Sequence, residues 1–327
     1  PANPEVYKNL FFGMQGTGGS TAIANSFQQY RLAGATARAM LVAAAAKAWS
    51  VPAAEITVSA GNLSHASGKS AGFGDMAVLA AAEPVPAEAP LKTPDQWVYI
   101  GKSFPRLDTR SKTIGAAGVY GMDQRFDGML VAVLARPNRF GGAVASFDDS
   151  EARAIDGVRD VIGLPSGVAV LAKDTWTAMQ GRDALRVTFD DSAAEMRSSD
   201  EMAAELANLI TQPGLMAHDG GDAEAALAGA AKVIEADYSF PFLAHAPMEP
   251  LDITVLFDGS SATFWTGAQF QTIDQMVAAQ VLGLTPDKIA INTLWAGGSF
   301  GRRAQPDSHY FAEAAHLARA WLDKGNA

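Results

Sequence analysis

Short apolar runs alternate with helix-like stretches through the middle of the chain. Three runs, Met129–Ala135, Gly167–Ala172 and Leu185–Asp190, have the length of β-strands and are too short for most buried helices. Two segments between them, Ser150–Ile155 and Asp174–Leu185, have a helical pattern. The alternation predicts an α+β (mixed α/β) fold.

Longer helical patterns occupy both ends. Alanine, the residue with the highest helix propensity, dominates Gly34–Trp49, so a helix is predicted there. Thr272–Leu282 and His309–Lys324 are predicted helices near the other end. The last of these places five apolar residues on one face, namely Phe311, Ala314, Ala315, Ala318 and Trp321.

The last third of the chain also carries strand patterns. Asp252–Phe257 and Ala262–Trp265 flank the turn residues Asp258–Ser261, which predicts a β-hairpin. A further strand is expected over Lys288–Trp295.

Composition shifts suggest where domains begin and end. Residues 81–96 are rich in alanine, proline and glutamate, as linkers are, and Ser198 with Glu201 forms a capping-box pattern ahead of a predicted helix at Met202–Ile210. We therefore expect three parts, residues 1–96, 97–195 and 196–327.

Charge and composition exclude several classes of protein. The net charge of −10 argues against a nucleic-acid-binding protein. With no cysteine, the chain has no thiolate catalyst and no cysteine-ligated iron–sulfur cluster of its own. No apolar stretch approaches the roughly 20 residues of a membrane-spanning helix.

The first candidate site is a run rich in glycine and hydroxyl groups near the N-terminus. Its backbone amides and hydroxyls suit a phosphate-binding nest, although the spacing fits neither the dinucleotide-binding fingerprint nor the Walker A motif. The alternative is a flexible surface loop. The run precedes the predicted alanine-rich helix by about a dozen residues. The candidate binding residues are Gln15, Thr17, Gly18, Gly19, Ser20 and Thr21.

The second candidate is a glycine turn that contains an aromatic residue and precedes two arginines. Arginines at a helix start oppose the helix dipole, which favours an anion-binding role over a plain turn with solvated side chains. The candidate binding residues are Gly297, Gly298, Ser299, Phe300, Gly301 and Arg302, with Arg303 next to them.

Histidine and glutamate lie four residues apart at His245 and Glu249. Pro247 and Pro250 prevent a continuous helix there, so a zinc site is not expected and a buried His–Glu pair that shapes a cleft is predicted instead. No metal ligand set and no catalytic group is assigned to this chain.

Several runs, in this order, resemble the molybdopterin-binding large subunit of the xanthine dehydrogenase and aldehyde oxidase family, of the isoquinoline 1-oxidoreductase beta-subunit type. The runs are Met14–Thr21, Ala33–Val42, Tyr99–Lys102, Leu243–Pro250, Trp265–Gln269 and Gly297–Gly301. Two departures concern substrate chemistry: Ser299 stands where the loop usually has a third glycine, and Leu243 and Ala304 replace polar residues of xanthine dehydrogenases.

The resemblance implies a hammerhead α/β domain inserted into part of a molybdenum-cofactor-binding domain. It implies molybdopterin cytosine dinucleotide with molybdenum as cofactor, and oxidative hydroxylation of aldehydes or N-heterocycles with water as the oxygen source. The glycine-rich run near the N-terminus would then touch the pterin or its phosphates, and Phe300 and Gly301 the molybdenum end.

The same resemblance implies partners. They are the remainder of the large subunit, a small [2Fe-2S] subunit, a cytochrome as candidate electron acceptor and a small-molecule substrate, but no nucleic acid. The family's general-base glutamate belongs to a C-terminal motif absent here, so residues 1–327 alone are expected to be inactive. The bacterial periplasm is slightly favoured over the cytoplasm as the compartment.

Two alternatives remain at this level. The chain is either cofactor-loaded or a binding and assembly module that keeps the fold without cofactor. A dinucleotide-binding dehydrogenase is disfavoured, because neither glycine-rich run has the required spacing.

Overall fold

A computed structural model describes residues 2–326 and contains both helices and strands, which confirms the predicted mixed class. Its α-helices are α1 (Pro4–Tyr7), α2 (Thr21–Trp49), α3 (Phe73–Ala81), α4 (Thr109–Thr113), α5 (Ser150–Arg153), α6 (Thr175–Asp183), α7 (Ser199–Leu209), α8 (Ala223–Ala228), α9 (Gln271–Leu282) and α10 (His309–Asp323). Its strands are β1 (Thr57–Ser59), β2 (Asn62–Ser64), β3 (Ser70–Gly72), β4 (Val131–Ala135), β5 (Ala143–Asp148), β6 (Val158–Leu164), β7 (Gly167–Ala172), β8 (Arg186–Asp190), β9 (Thr254–Phe257), β10 (Ala262–Thr266) and β11 (Ile289–Thr293).

The chain forms two compact units. One comprises residues 2–119 together with 268–273, and the other comprises residues 120–267 together with 274–326. The three-part division expected from composition stays a prediction.

The first unit is built around α2, which packs on α3 and on a small antiparallel sheet in the order β1-β2-β3. Its core consists of Ala45, Trp49, Ile56, Leu63 and Met76. Alanines on the buried side of α2 allow close packing, and Leu63 is fully buried against that side.

The alanine-rich helix is longer than predicted. It begins at Thr21 and includes Gly34, so the expected gap of about a dozen residues between the glycine-rich run and the helix is wrong. Residues 22–32 are mixed in polarity and mostly exposed, and they lack the alanine enrichment on which the prediction rests. As a result, the glycine-rich run leads directly into a helix of 29 residues.

In the second unit, an antiparallel sheet in the order β4-β7-β6 is covered on both faces. One face buries Val161, Val168 and Val170 with Ala152 of α5. The other face buries Ile162, Ala169 and Leu171, against which Leu317 and Trp321 of α10 pack. Covering on both faces explains why β7 is an uninterrupted apolar run.

A second sheet of this unit has the order β11-β10-β9. The predicted hairpin is confirmed: β9 and β10 are antiparallel, and the Asp258 carboxylate accepts hydrogen bonds from the amides of Ser260 and Ser261 in the turn. The parallel strand β11 extends the sheet beside β10. Phe264 of β10 is fully buried against Phe311 of α10, with ring centroids 5.2 Å apart.

The predicted capping box is present at α7, where Ser198 Oγ accepts from the Glu201 amide and the Glu201 carboxylate accepts from the Ser198 amide. Strands β5 and β8 form a two-stranded antiparallel sheet.

Within residues 2–326, none of the helices combines the length and apolar character that crossing a bilayer requires.

Candidate functional site

The N-terminal glycine-rich run ends at the start of α2. Gly19 and Ser20 both adopt left-handed backbone conformations, with φ of 58° and 54°, and Thr21 is the first helical residue. No side chain caps this helix start, and its first turn contains no acidic residue. Four amide groups at a helix N-terminus have no partner within the helix, so this end presents donors and partial positive charge.

The first half of the run is held by residues 268–273 of the same unit. The Gln15 amide donates to Thr272 Oγ1 at 2.9 Å, and the Thr17 amide donates to the Gln269 carbonyl at 2.9 Å. The Gln269 side chain donates back to the Thr17 carbonyl at 2.8 Å. Gln15 and Thr17 therefore fix the path of the loop through their backbone.

The Thr21 hydroxyl is also engaged within the protein. It donates to the Gly18 carbonyl at 2.8 Å and accepts from Asn9 Nδ2 at 2.7 Å. Among the first group of candidates, Gly18, Gly19 and Ser20 thus remain as the residues whose amides take part in none of these contacts. No hydrogen bond between described residues uses the amides of Gly19 or Ser20.

The second candidate run forms a tight turn whose glycines permit close packing. A Cβ added at Gly297 would lie 2.6 Å from Glu249 Cβ, and one added at Gly298 would lie 2.9 Å from Pro247 Cβ. Phe300 adopts a left-handed backbone conformation with φ of 53°, and 74% of its surface is exposed. The aromatic ring therefore does not pack beneath the turn. Glycines that pack against protein and an exposed ring beside them are consistent with a loop that faces a ligand.

The two arginines after the turn have different environments, which their adjacency in the sequence does not indicate. They precede α10 by several residues, so their expected position at a helix start is wrong. Arg302 is half-buried, and its side chain forms no hydrogen bond or ion pair with another described residue. Arg303 is 1% exposed and is held entirely by the protein.

Arg303 lies at the centre of a buried polar cluster. Its guanidinium donates to the carbonyls of Gly298, Gly267 and Pro250 at 3.2–3.3 Å. It also contacts the carboxylates of Glu249 at 3.3 Å and Asp252 at 3.4 Å.

Glu249 connects this cluster to the glycine turn. Its Oε2 accepts from the Gly297 amide at 2.6 Å, and its own amide donates to the Gly297 carbonyl at 3.2 Å. Its Oε1 accepts from the Met122 amide at 3.3 Å. The position of the turn is thereby fixed by two charged side chains, Glu249 and Arg303.

The predicted His245–Glu249 pair is wrong. Glu249 is buried, but His245 is exposed, and Glu249 pairs with Arg303 instead. Asp252 is the second carboxylate of the cluster. Burial raises the pKa of the Asp252 carboxyl to about 6, with the charge of Glu249 adding to the rise and Arg303 opposing it.

Sequence reasoning misses the cluster because Arg303 is 54 residues from Glu249 and 51 residues from Asp252. Neither Glu249 nor the adjacent pair Arg302 and Arg303 lies in a local sequence pattern that indicates burial. The sequence carries one signal of the cluster, which is the glycine at position 297. A Cβ at this position would lie 2.6 Å from Glu249 Cβ, so the cluster requires glycine there.

The residues present fit an anionic cofactor. The start of α2 offers amides and no negative charge. A Cβ built at Gly19 would meet only Thr21 Cγ2, at 3.7 Å, so a ligand can approach the main chain closely there. In the other unit, Arg302 supplies a positive charge that the described residues leave unpaired. Donors of these two kinds suit phosphate or pyrophosphate oxygens.

Comparison with known proteins agrees with that chemistry. Residues 207–322 match a family model described as a molybdopterin cofactor-binding domain. The chain is 32% identical to the beta subunit of isoquinoline 1-oxidoreductase from Brevundimonas diminuta over 98% of this chain and 46% of that protein. It is 28% identical to a membrane-bound aldehyde dehydrogenase (pyrroloquinoline-quinone) of Gluconacetobacter polyoxogenes over 94% of this chain and 42% of that one. A nicotinate dehydrogenase subunit of Pseudomonas putida is 25% identical over 89% of this chain and 25% of its own length.

The relatives are all longer than the chain. It spans less than half the length of each of these curated proteins.

Proposed function

Because this chain belongs to the xanthine dehydrogenase and aldehyde oxidase family of molybdopterin-binding subunits, we propose that it holds a molybdopterin cofactor as part of a molybdenum hydroxylase large subunit. The family model, the names of the relatives and the anion-binding chemistry of the glycine-rich runs support this proposal. When bound, the cofactor supplies the redox centre at which a substrate carbon is oxidised with water as the oxygen source.

The observation that carries the proposal is the uncapped start of α2. A helix of 29 residues begins directly after Gly18, Gly19 and Ser20, without a capping side chain and without an acidic residue in its first turn. Natural helices commonly satisfy these amides with Ser, Thr, Asp or Asn side chains. A phosphate oxygen of the cofactor takes that role here, favoured by both the amides and the helix dipole.

The second run contributes through its shape and charge. The turn from Gly297 to Gly301 presents main chain and the exposed Phe300 ring to the cofactor, and Ser299 stands within the same turn. Arg302 binds an anionic oxygen, while Arg303 with Glu249 holds the turn in place. Binding and positioning are thus divided between two neighbouring arginines.

The family resemblance and the relatives' names support finer assignments, which are part of the same proposal. The cofactor is the cytosine dinucleotide form, and the substrate is an aldehyde or an N-heterocycle, since the relatives named above are an isoquinoline oxidoreductase, an aldehyde dehydrogenase and a nicotinate dehydrogenase. Electrons leave through a partner [2Fe-2S] subunit to a cytochrome, in the periplasm. Residues 1–327 alone are inactive, because the general base lies outside them.

A charge change at the helix start tests the proposal. In the full-length large subunit, we expect Ser20→Asp to lower the pterin content per protein by more than about tenfold, because a carboxylate repels phosphate. In the cofactor-free form of the protein, the same change leaves the free energy of unfolding unchanged or slightly higher, because a negative charge at a helix N-terminus is stabilising by about 0.3–1 kcal/mol. Pterin is measured by fluorescence after oxidative release, and stability by urea denaturation.

Ser20→Asn is the matched control, with nearly the same shape and no charge. It is expected to keep pterin content within about twofold of wild type. Equal pterin content in the Asp and Asn variants would contradict the proposed phosphate contact, and the absence of pterin from the wild-type protein would favour the cofactor-free module.

A further inference from the structure

One segment has the sequence pattern of a β-strand but no strand partner. From 234 to 242, apolar residues occupy every even position and polar residues or proline occupy the odd positions. The even positions are Ile234, Ala236, Tyr238, Phe240 and Phe242, and the odd positions are Glu235, Asp237, Ser239 and Pro241. Strict alternation of this kind predicts a strand that is buried on one face.

The structure leaves this segment unpaired. No backbone hydrogen bond among residues 2–326 involves residues 231–248, and the segment contains no strand. The exposed fraction is 81% for Ile234 and Tyr238, 84% for Phe240 and 77% for Phe242. By contrast, the apolar run of β7 is paired on both sides and buried.

The exposed apolar surface is large. Three aromatic side chains of about 150–250 Å² each amount to more than about 400 Å², which exceeds what single scattered apolar residues leave on a protein surface. The segment also ends a few residues before Glu249, which the buried arginine cluster fixes in place. The segment therefore exposes unpaired main chain and an aromatic face, and its C-terminal end leads into a part of the chain that the buried cluster holds in place.

We propose that residues 234–242 dock by β-strand addition onto a sheet edge in the part of the large subunit that lies outside residues 1–327. This inference rests on the proposed function, since it takes the chain to be part of such a subunit. Main-chain hydrogen bonds supply the pairing, and the aromatic face fills apolar pockets of the receiving sheet.

The choice of occupant follows from length and charge. The isoquinoline relative aligns with 98% of this chain, yet this chain covers only 46% of that protein, which therefore contains a comparable amount of further polypeptide. A second copy of the segment is a poor partner. The segment carries two acidic residues, Glu235 and Asp237, and no basic residue, so pairing two copies brings like charges close together, which is destabilising.

Photo-cross-linking in the full-length large subunit identifies what covers the segment. With benzoylphenylalanine in place of Phe240, we expect cross-linked peptides from the large subunit outside residues 1–327. With the same group in place of Ser239, on the opposite face, we expect a yield at least about fivefold lower. Cross-links mainly to a second copy of residues 1–327, or equal yields at both positions, would overturn the proposal.

Hydrogen exchange of the same full-length protein is the second measurement. The amides of residues 234–242 are expected to exchange at least about 100-fold more slowly than unstructured peptide. Exchange at the unstructured rate overturns the docking. Pterin content, measured on the same sample, separates the two claims: protection without pterin contradicts the proposed function alone, and pterin without protection contradicts the docking alone.

Discussion

Replacing Arg303 by alanine is expected to lower the free energy of unfolding by about 3–5 kcal/mol, because it leaves buried negative charge without its partner. Glu249 is 8% exposed, and Asp252 shares the same guanidinium. The carbonyls of Gly267, Pro250 and Gly298 lose a donor at the same time. Urea denaturation followed by circular dichroism measures the change.

Arg302→Ala is the matched control, since it removes the same atoms from the adjacent residue. Its side chain forms no hydrogen bond or ion pair among the described residues, so we expect a stability change within about 0.5 kcal/mol. Arg303→Lys keeps the charge but not the five-donor fork, and its stability is expected to fall between those of wild type and Arg303→Ala. Equal stability of Arg302→Ala and Arg303→Ala would contradict the assignment of a structural role to Arg303.

Truncation of Phe311 to alanine is expected to cost a similar amount, about 3–5 kcal/mol, by a different mechanism. Phe311 is fully buried and packs against Phe264, which is also fully buried, so its removal leaves a cavity between α10 and β10. Differential scanning calorimetry measures the loss as a lower melting temperature.

Phe300→Ala removes an identical group from an exposed position and is the control for this prediction. Because Phe300 is 74% exposed, its truncation is expected to change stability by less than about 0.5 kcal/mol. A large loss of stability in Phe300→Ala would mean that the ring packs against protein, and it would contradict the ligand-facing role proposed for the turn.

Local patterns are sufficient to predict elements whose determinants lie in consecutive residues. The apolar run Gly167–Ala172 and the hairpin around Asp258–Ser261 are of this kind, because burial on both faces and turn chemistry can be read from neighbouring positions. The apolar face of α10 also follows from its period, and Phe311, Ala314 and Ala315 are buried as expected.

Sequence reasoning fails where the deciding contact is long-range or the pattern is weak. It places the start of α2 too late, because residues 22–32 lack the alanine enrichment on which the prediction rests. It misses the ion cluster of Glu249, Asp252 and Arg303, because burial of a charge depends on partners from distant segments.

The candidate site shows the same limit. Composition identifies both glycine-rich runs, but it does not reveal the division of roles within them. Gln15, Thr17 and Arg303 hold main chain in place, while the residues that keep donors available are Gly18, Gly19, Ser20 and Arg302. A residue type alone does not distinguish a positioning role from a binding role.

The content of molybdenum and pterin in the wild-type large subunit, purified without denaturation, tests the central claim most directly. Elemental analysis by mass spectrometry and oxidative pterin release are carried out on one sample. We expect about one molybdenum and about one pterin per large subunit, with the pterin in the cytosine dinucleotide form. Protein that is folded yet carries neither of them, or that carries a quinone instead, would contradict the account.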